Sequence, residues 1–169
     1  GDPLHQAVEQ YARAVRDIGR MVEQELPVLE HQKKAWLDAS TALERLRPGA
    51  VIALETAVKH EPEIRQALYG LEGPTRARRL VEGLEHEDKV RKSPELRAAR
   101  FVKAWDGLSR EQQGVALKEL KRDAPLESLL RQKGHELGVR KGSTLDHGLQ
   151  PQRTRSLSRS RGRDMDMGM

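Results

Sequence analysis

The sequence predicts an all-α bundle, and three observations predict it. Apolar residues recur at helical spacing along most of the chain, prolines stand where helix-forming runs begin, and aromatic residues are too sparse to furnish strands. The aromatics make up 3% of 169 residues (Tyr11, Trp36, Tyr69, Phe101 and Trp105), and no period-two stretch of β-branched residues occurs. Hydrophobic residues account for 36% and charged residues for 34%, the balance of a chain with narrow apolar stripes and a wide charged surface.

The first 46 residues carry the clearest pattern. Val8, Val15, Val22, Leu29, Trp36 and Leu43 fall seven apart, with Leu4, Tyr11, Ile18, Ala39 and Leu46 at companion positions. Spacings of four and three place them on one helical face, as in the seam of a coiled-coil-like bundle. Pro27 interrupts this stretch and costs about 3 kcal/mol in a helix interior. The heptad phase nevertheless continues across it, so the pattern favours one long helix over 4–46, kinked near Glu23 to Pro27, and an elongated body.

The next elements follow in order. Pro48, Pro62, Pro74, Pro94 and Pro125 each precede a helix-forming run, where a missing N–H costs nothing. Ser93-Pro94-Glu95 supplies an N-cap and a first-turn acid; Ser109 with Gln112 fits a capping box; Asp123-Ala124-Pro125 reads as a further start. Helices are expected over 49–60, 62–70, 75–91, 94–107, 110–122 and 125–137. Their stripes include Val51, Leu54 and Val58, then Leu80 and Leu84, then Phe101 and Trp105, and last Leu126, Leu130 and Leu137. Between His60 and Thr75, two prolines and two glycines leave only a short helical run, consistent with a small projection at one end of the bundle or an irregular surface loop.

Charge divides the chain at residue 138/139. Residues 139–169 hold seven basic and three acidic residues, a net of +4, whereas the other 138 residues hold 24 basic and 23 acidic. Glycines and serines punctuate this segment and large apolar residues are few, which predicts a disordered tail over 139–169 behind a folded body over 1–138. Arg153, Arg155, Arg159, Arg161 and Arg163 concentrate the positive charge and are the candidate partner-binding residues, either for an acidic surface or for weak, non-specific nucleic-acid contact.

Chemistry is hard to find in this chain. With no cysteine, disulfides, thiol catalysis and Cys-containing zinc sites are excluded. His60-Glu61, His86-Glu87 and His135-Glu136 begin like zinc-protease motifs, but none has a second His four residues on. There is no phosphate-binding glycine loop and no Gly-x-Ser-x-Gly elbow. Glu85, Glu87 and Asp88 read as a solvated helix face, and Trp36 and Trp105 as core anchors. The reading is therefore of a non-enzymatic module with no catalytic residue, no metal and no cofactor. The longest apolar run, Ala50 to Leu54, is too short for a membrane span, and the Gly1-Asp2-Pro3 start reads as a fragment or processed piece of something longer.

Three blocks carry a resemblance. Leu26-Pro-Val-Leu-Glu-His-Gln-Lys-Lys-Ala-Trp-Leu-Asp38 running on to Leu46-Arg-Pro-Gly-Ala50, then Lys89-Val-Arg-Lys-Ser-Pro-Glu-Leu-Arg-Ala-Ala-Arg-Phe-Val-Lys-Ala-Trp105, then Leu120-Lys-Arg-Asp-Ala-Pro-Leu-Glu-Ser-Leu-Leu-Arg131, resemble the BID domain in order along the chain. That module lies near the C-terminus of type IV secretion substrates of alphaproteobacteria, and the likeness, over about residues 4–138, is greatest to the version ending TraA-type conjugative relaxases. The resemblance implies an elongated antiparallel four-helix bundle topped by a small hook. It implies a bipartite translocation signal of bundle plus cationic tail, read by the type IV coupling protein, an ATPase at the inner membrane. The protein would then reside in the bacterial cytoplasm before translocation into a recipient cell, its nicking and helicase domains lying upstream. Two other readings stand beside it: a host-targeted effector scaffold of the same family, and a nucleic-acid-binding accessory domain. A monomer is expected, because an intramolecular bundle is the simplest use of the heptad seam.

Overall fold

The computed structural model describes residues 2–150, and the five arginines 153, 155, 159, 161 and 163 lie outside them. Among the described residues the chain is helical without strands: α1 (Pro3–Glu23), α2 (Glu30–Leu46), α3 (Ala50–His60), α4 (Pro62–Tyr69), α5 (Gly73–Lys92), α6 (Pro94–Trp105), α7 (Arg110–Leu120), α8 (Ala124–Lys133) and α9 (Thr144–Gly148). The all-α expectation holds. The chain divides into two compact units, Gly1–Lys92 and Ser93–Met169, each with its own apolar core. The boundary expected at 138/139 falls inside the second unit.

In the first unit, α1 and α2 form a helical hairpin instead of one kinked helix. The Glu25 N–H donates to the Val22 carbonyl (3.1 Å) and the Leu26 N–H to the Met21 carbonyl (2.9 Å), the paired bonds of a Schellman stop. Glu25 occupies the left-handed position at φ +57°, a conformation that costs a non-glycine residue about 1 kcal/mol. Pro27 follows the stop and excludes helix from the residue before it. The heptad spacing of the sequence therefore runs over two helices joined by residues 24–29.

The seam outruns the core. Val8, Tyr11, Ala39 and Leu43 are buried with Ala7, Ala12 and Ala14, but no residue between Ala14 and Ala39 is. Val22 is 63% exposed, Leu29 45% and Trp36 37%, so Trp36 is not the buried anchor the pattern suggested. Tyr11 beneath it is pushed up to about 12 from 10, first by burial and then by the charges of Glu55 and Tyr69, with the neighbouring Trp36 indole partly offsetting this.

The turn into α3 is closed by Glu44, whose carboxylate accepts from the N–H groups of Gly49 and Val51 at 2.9 Å each. Those two bonds hold its carboxyl below the usual range. Gly49 supplies the left-handed φ of +83° that the turn requires. The carbonyls of Val58 and Lys59, unpaired at the end of α3, accept from the Arg65 guanidinium at 3.1 and 3.0 Å. The 60–75 segment is thus not an irregular loop. Its helix α4 buries Ile64, Ala67 and Leu68 against α3, α5 and α1. A Cβ on Gly83 of α5 would stand 3.0–3.2 Å from three Ile64 side-chain atoms, so the glycine lets α4 sit close. Of the three acids read as a solvated face, Glu85 is exposed, Asp88 pairs with Arg47 and Arg91, and Glu87 is buried.

The second unit is built on shorter helices with well-formed starts. The Leu96 N–H donates to Ser93 Oγ (3.2 Å) and the Leu126 N–H to Asp123 Oδ1 (3.4 Å). At α7 the capping box is complete, with the Gln112 N–H on Ser109 Oγ (3.1 Å) and the Ser109 N–H on Gln112 Oε1 (2.8 Å). Trp105 is the buried centre: its indole N–H donates to Thr144 Oγ1 at 2.9 Å and Phe101 stacks on it at 5.8 Å.

That contact corrects the expected tail. Residues 139–150 are not a disordered linker, because Val139, Leu145 and Leu149 are buried in the second core with Leu120, Leu126 and Leu130. Ser143 caps α9, the Arg131 guanidinium donates to the Leu149 carbonyl (3.2 Å), and Gly148 lets α9 approach Leu117 where a Cβ would stand at 2.8 Å.

Candidate interaction surfaces

The residues singled out for partner binding, Arg153, Arg155, Arg159, Arg161 and Arg163, fall outside the described residues. What the first unit presents instead is a charged cleft of about 600 Å³ between α1 and the start of α5. Arg13, Arg16 and Arg20 lie three and four residues apart, which puts them on one face of α1. Arg76 reaches the same cleft from the first turn of α5.

Arg76 is only 1% exposed, and its charge is met from two sides. Its Nε–H donates to Glu9 Oε2 at 3.1 Å and its Nη1 to the Leu71 carbonyl at 3.0 Å. The other Glu9 oxygen accepts from Arg13 Nε at 3.3 Å. A buried guanidinium satisfied by a carboxylate and a carbonyl fixes the floor of the cleft, since removing Glu9 would strand a buried charge.

The rim is held more loosely. Glu72, on the connection between α4 and α5, ion-pairs with Arg16 while its own side chain stays 70% exposed. The Arg16 guanidinium, joined by the charges of Arg76 and Arg20, holds the Glu72 carboxyl below the usual range. The sequence reading missed this cleft. The spacing of Arg13, Arg16 and Arg20 was visible as one helix face, but nothing local announced that Glu72 and Arg76 would close around it.

The histidines do not assemble a metal centre. His86 Nε2 stands 3.3 Å from Glu61 Oε1, and His135 Nδ1 lies 3.0 Å from the Val139 carbonyl. Among the described residues no group of three or more His, Asp or Glu is placed to hold a metal ion, and no helix is long and apolar enough to cross a membrane. Comparison of the chain with protein-family models, curated proteins and solved structures finds no match.

Proposed function

We propose that this chain is a delivery module: the C-terminal translocation signal of a type IV secretion substrate, which docks a relaxase or other protein cargo on the type IV coupling protein. The observation that carries the reading is the order of the three BID-like blocks along a helical chain that carries five arginines between 153 and 163. In this reading the cargo waits in the bacterial cytoplasm, and the module itself performs no chemistry.

The mechanism is one of two linked weak contacts. A helical body offers a specific surface of mixed charge, and the cationic end adds attraction that acts over about 10 Å at moderate salt. Linking the two raises the effective concentration of the second contact once the first has formed, so neither needs high affinity. Low individual affinity suits a cargo that must be released after recognition.

Binding to the purified ATPase portion of a coupling protein tests this. The full chain is expected to bind, and replacing Arg153, Arg155, Arg159, Arg161 and Arg163 with Glu is expected to weaken binding by roughly tenfold or more and flatten its salt dependence. Equal affinity of the two chains would remove the cationic end from the mechanism. No binding by the full chain would remove the coupling protein as receptor.

A further inference from the structure

The α1–α5 cleft already holds one carboxylate loosely, and that is what makes it informative. Glu9 is committed to the floor, shared between Arg76 and Arg13. Glu72 is not. It arrives on the short connection between α4 and α5, flanked by Gly70 and Gly73, and its pair with Arg16 is exposed to solvent. Exposed ion pairs of this kind contribute little to stability, so Glu72 leaves at small cost. Arg20, whose charge also pulls on Glu72, makes no direct ion pair among the described residues.

The charges define what would replace it. Four arginines face Glu9, Asp17 and Glu72, so the cleft is net positive by one, and by two once Glu72 has swung away. A guanidinium pairs with a carboxylate through two parallel hydrogen bonds, and Glu72 shows that Arg16 is within reach of such a group. Arg13 and Arg76 are already engaged by Glu9, which leaves Arg16 and Arg20, four residues apart on α1, to take one or two carboxylates.

We infer that the cleft is a receptor for an acidic peptide segment of a partner protein, whose carboxylates displace Glu72 from Arg16 and engage Arg20. Glu72 is then an internal placeholder that keeps the site closed to weak ligands and sets a threshold for strong ones. This inference stands apart from the delivery reading, since it concerns binding by the isolated chain. Were that reading correct, the cleft would be the specific half of the docking surface.

The test is a titration of the isotope-labelled full chain with a capped hexaglutamate peptide, followed through the Arg16 and Arg20 side-chain N–H signals. The expected result is saturable movement of both. Glu72→Gln should tighten binding by about threefold or more by removing the competitor, and Arg16→Gln with Arg20→Gln should weaken it by about tenfold. The cationic end is the same in every variant, so its own contacts with the peptide cancel. Absence of movement at the two arginines overturns the inference, as does a Glu72→Gln chain that binds no more tightly than the parent. Equal movement with a capped hexaglutamine peptide, or movement at lower concentration with a single-stranded oligonucleotide, would also overturn it. Should the double arginine variant lose its helical circular dichroism, the Glu72→Gln comparison decides alone.

Discussion

The first unit is built around helices of 21 and 20 residues, α1 and α5, whose stripes meet in a core of leucine and alanine, and it leaves part of its longest stripe in water. The second unit has helices of 5 to 12 residues and a smaller core centred on Trp105, where residues far apart in sequence meet, as in the Trp105–Thr144 bond. Length lets the first unit spread its stability over many modest contacts and keep an open charged face on α1. Shortness forces the second to concentrate stability in a few side chains, including those of a segment that composition alone would assign to a linker.

The sharpest way to break this contrast is at Trp105. Trp105→Ala removes a buried indole, its bond to Thr144 and its stack on Phe101, and is expected to cost about 4 kcal/mol. Hydrogen exchange should then show lost protection across α6 to α9 with α1 and α5 still protected. An equal loss in both units would mean that they do not stand on separate cores. A gentler comparison stays within the hairpin. Leu43 and Leu29 share one heptad position, but Leu43 is fully buried and Leu29 is 45% exposed. Leu43→Ala should cost about 3 kcal/mol and Leu29→Ala no more than about 0.5 kcal/mol in chemical denaturation. Similar costs would place the end of the hairpin inside a core.

What could be read from the sequence was what neighbours in the chain decide. The starts of α6, α7 and α8 were legible because Ser93, Ser109 with Gln112, and Asp123 act within three residues of themselves. The stop after Glu23 was not, because the left-handed residue there is Glu25 where a glycine would have signalled it. The seating of residues 139–150 was hidden for a different reason: Thr144 answers an indole on α6 and Gly148 answers Leu117 on α7, partners that only the fold brings near. The charged cleft was half legible. Three arginines on one face of α1 can be counted, but the buried Arg76 that fixes its floor comes from another helix.

The delivery reading is tested most directly in cells. A recombinase reporter fused ahead of residues 1–169, placed in a donor carrying a type IV secretion system, should reach recipients and mark them by recombination. With Arg153, Arg155, Arg159, Arg161 and Arg163 changed to Glu, marking should fall to the level of the unfused recombinase while the helical circular dichroism stays unchanged. Undiminished marking by that variant, or equal marking by the recombinase alone, would contradict the account.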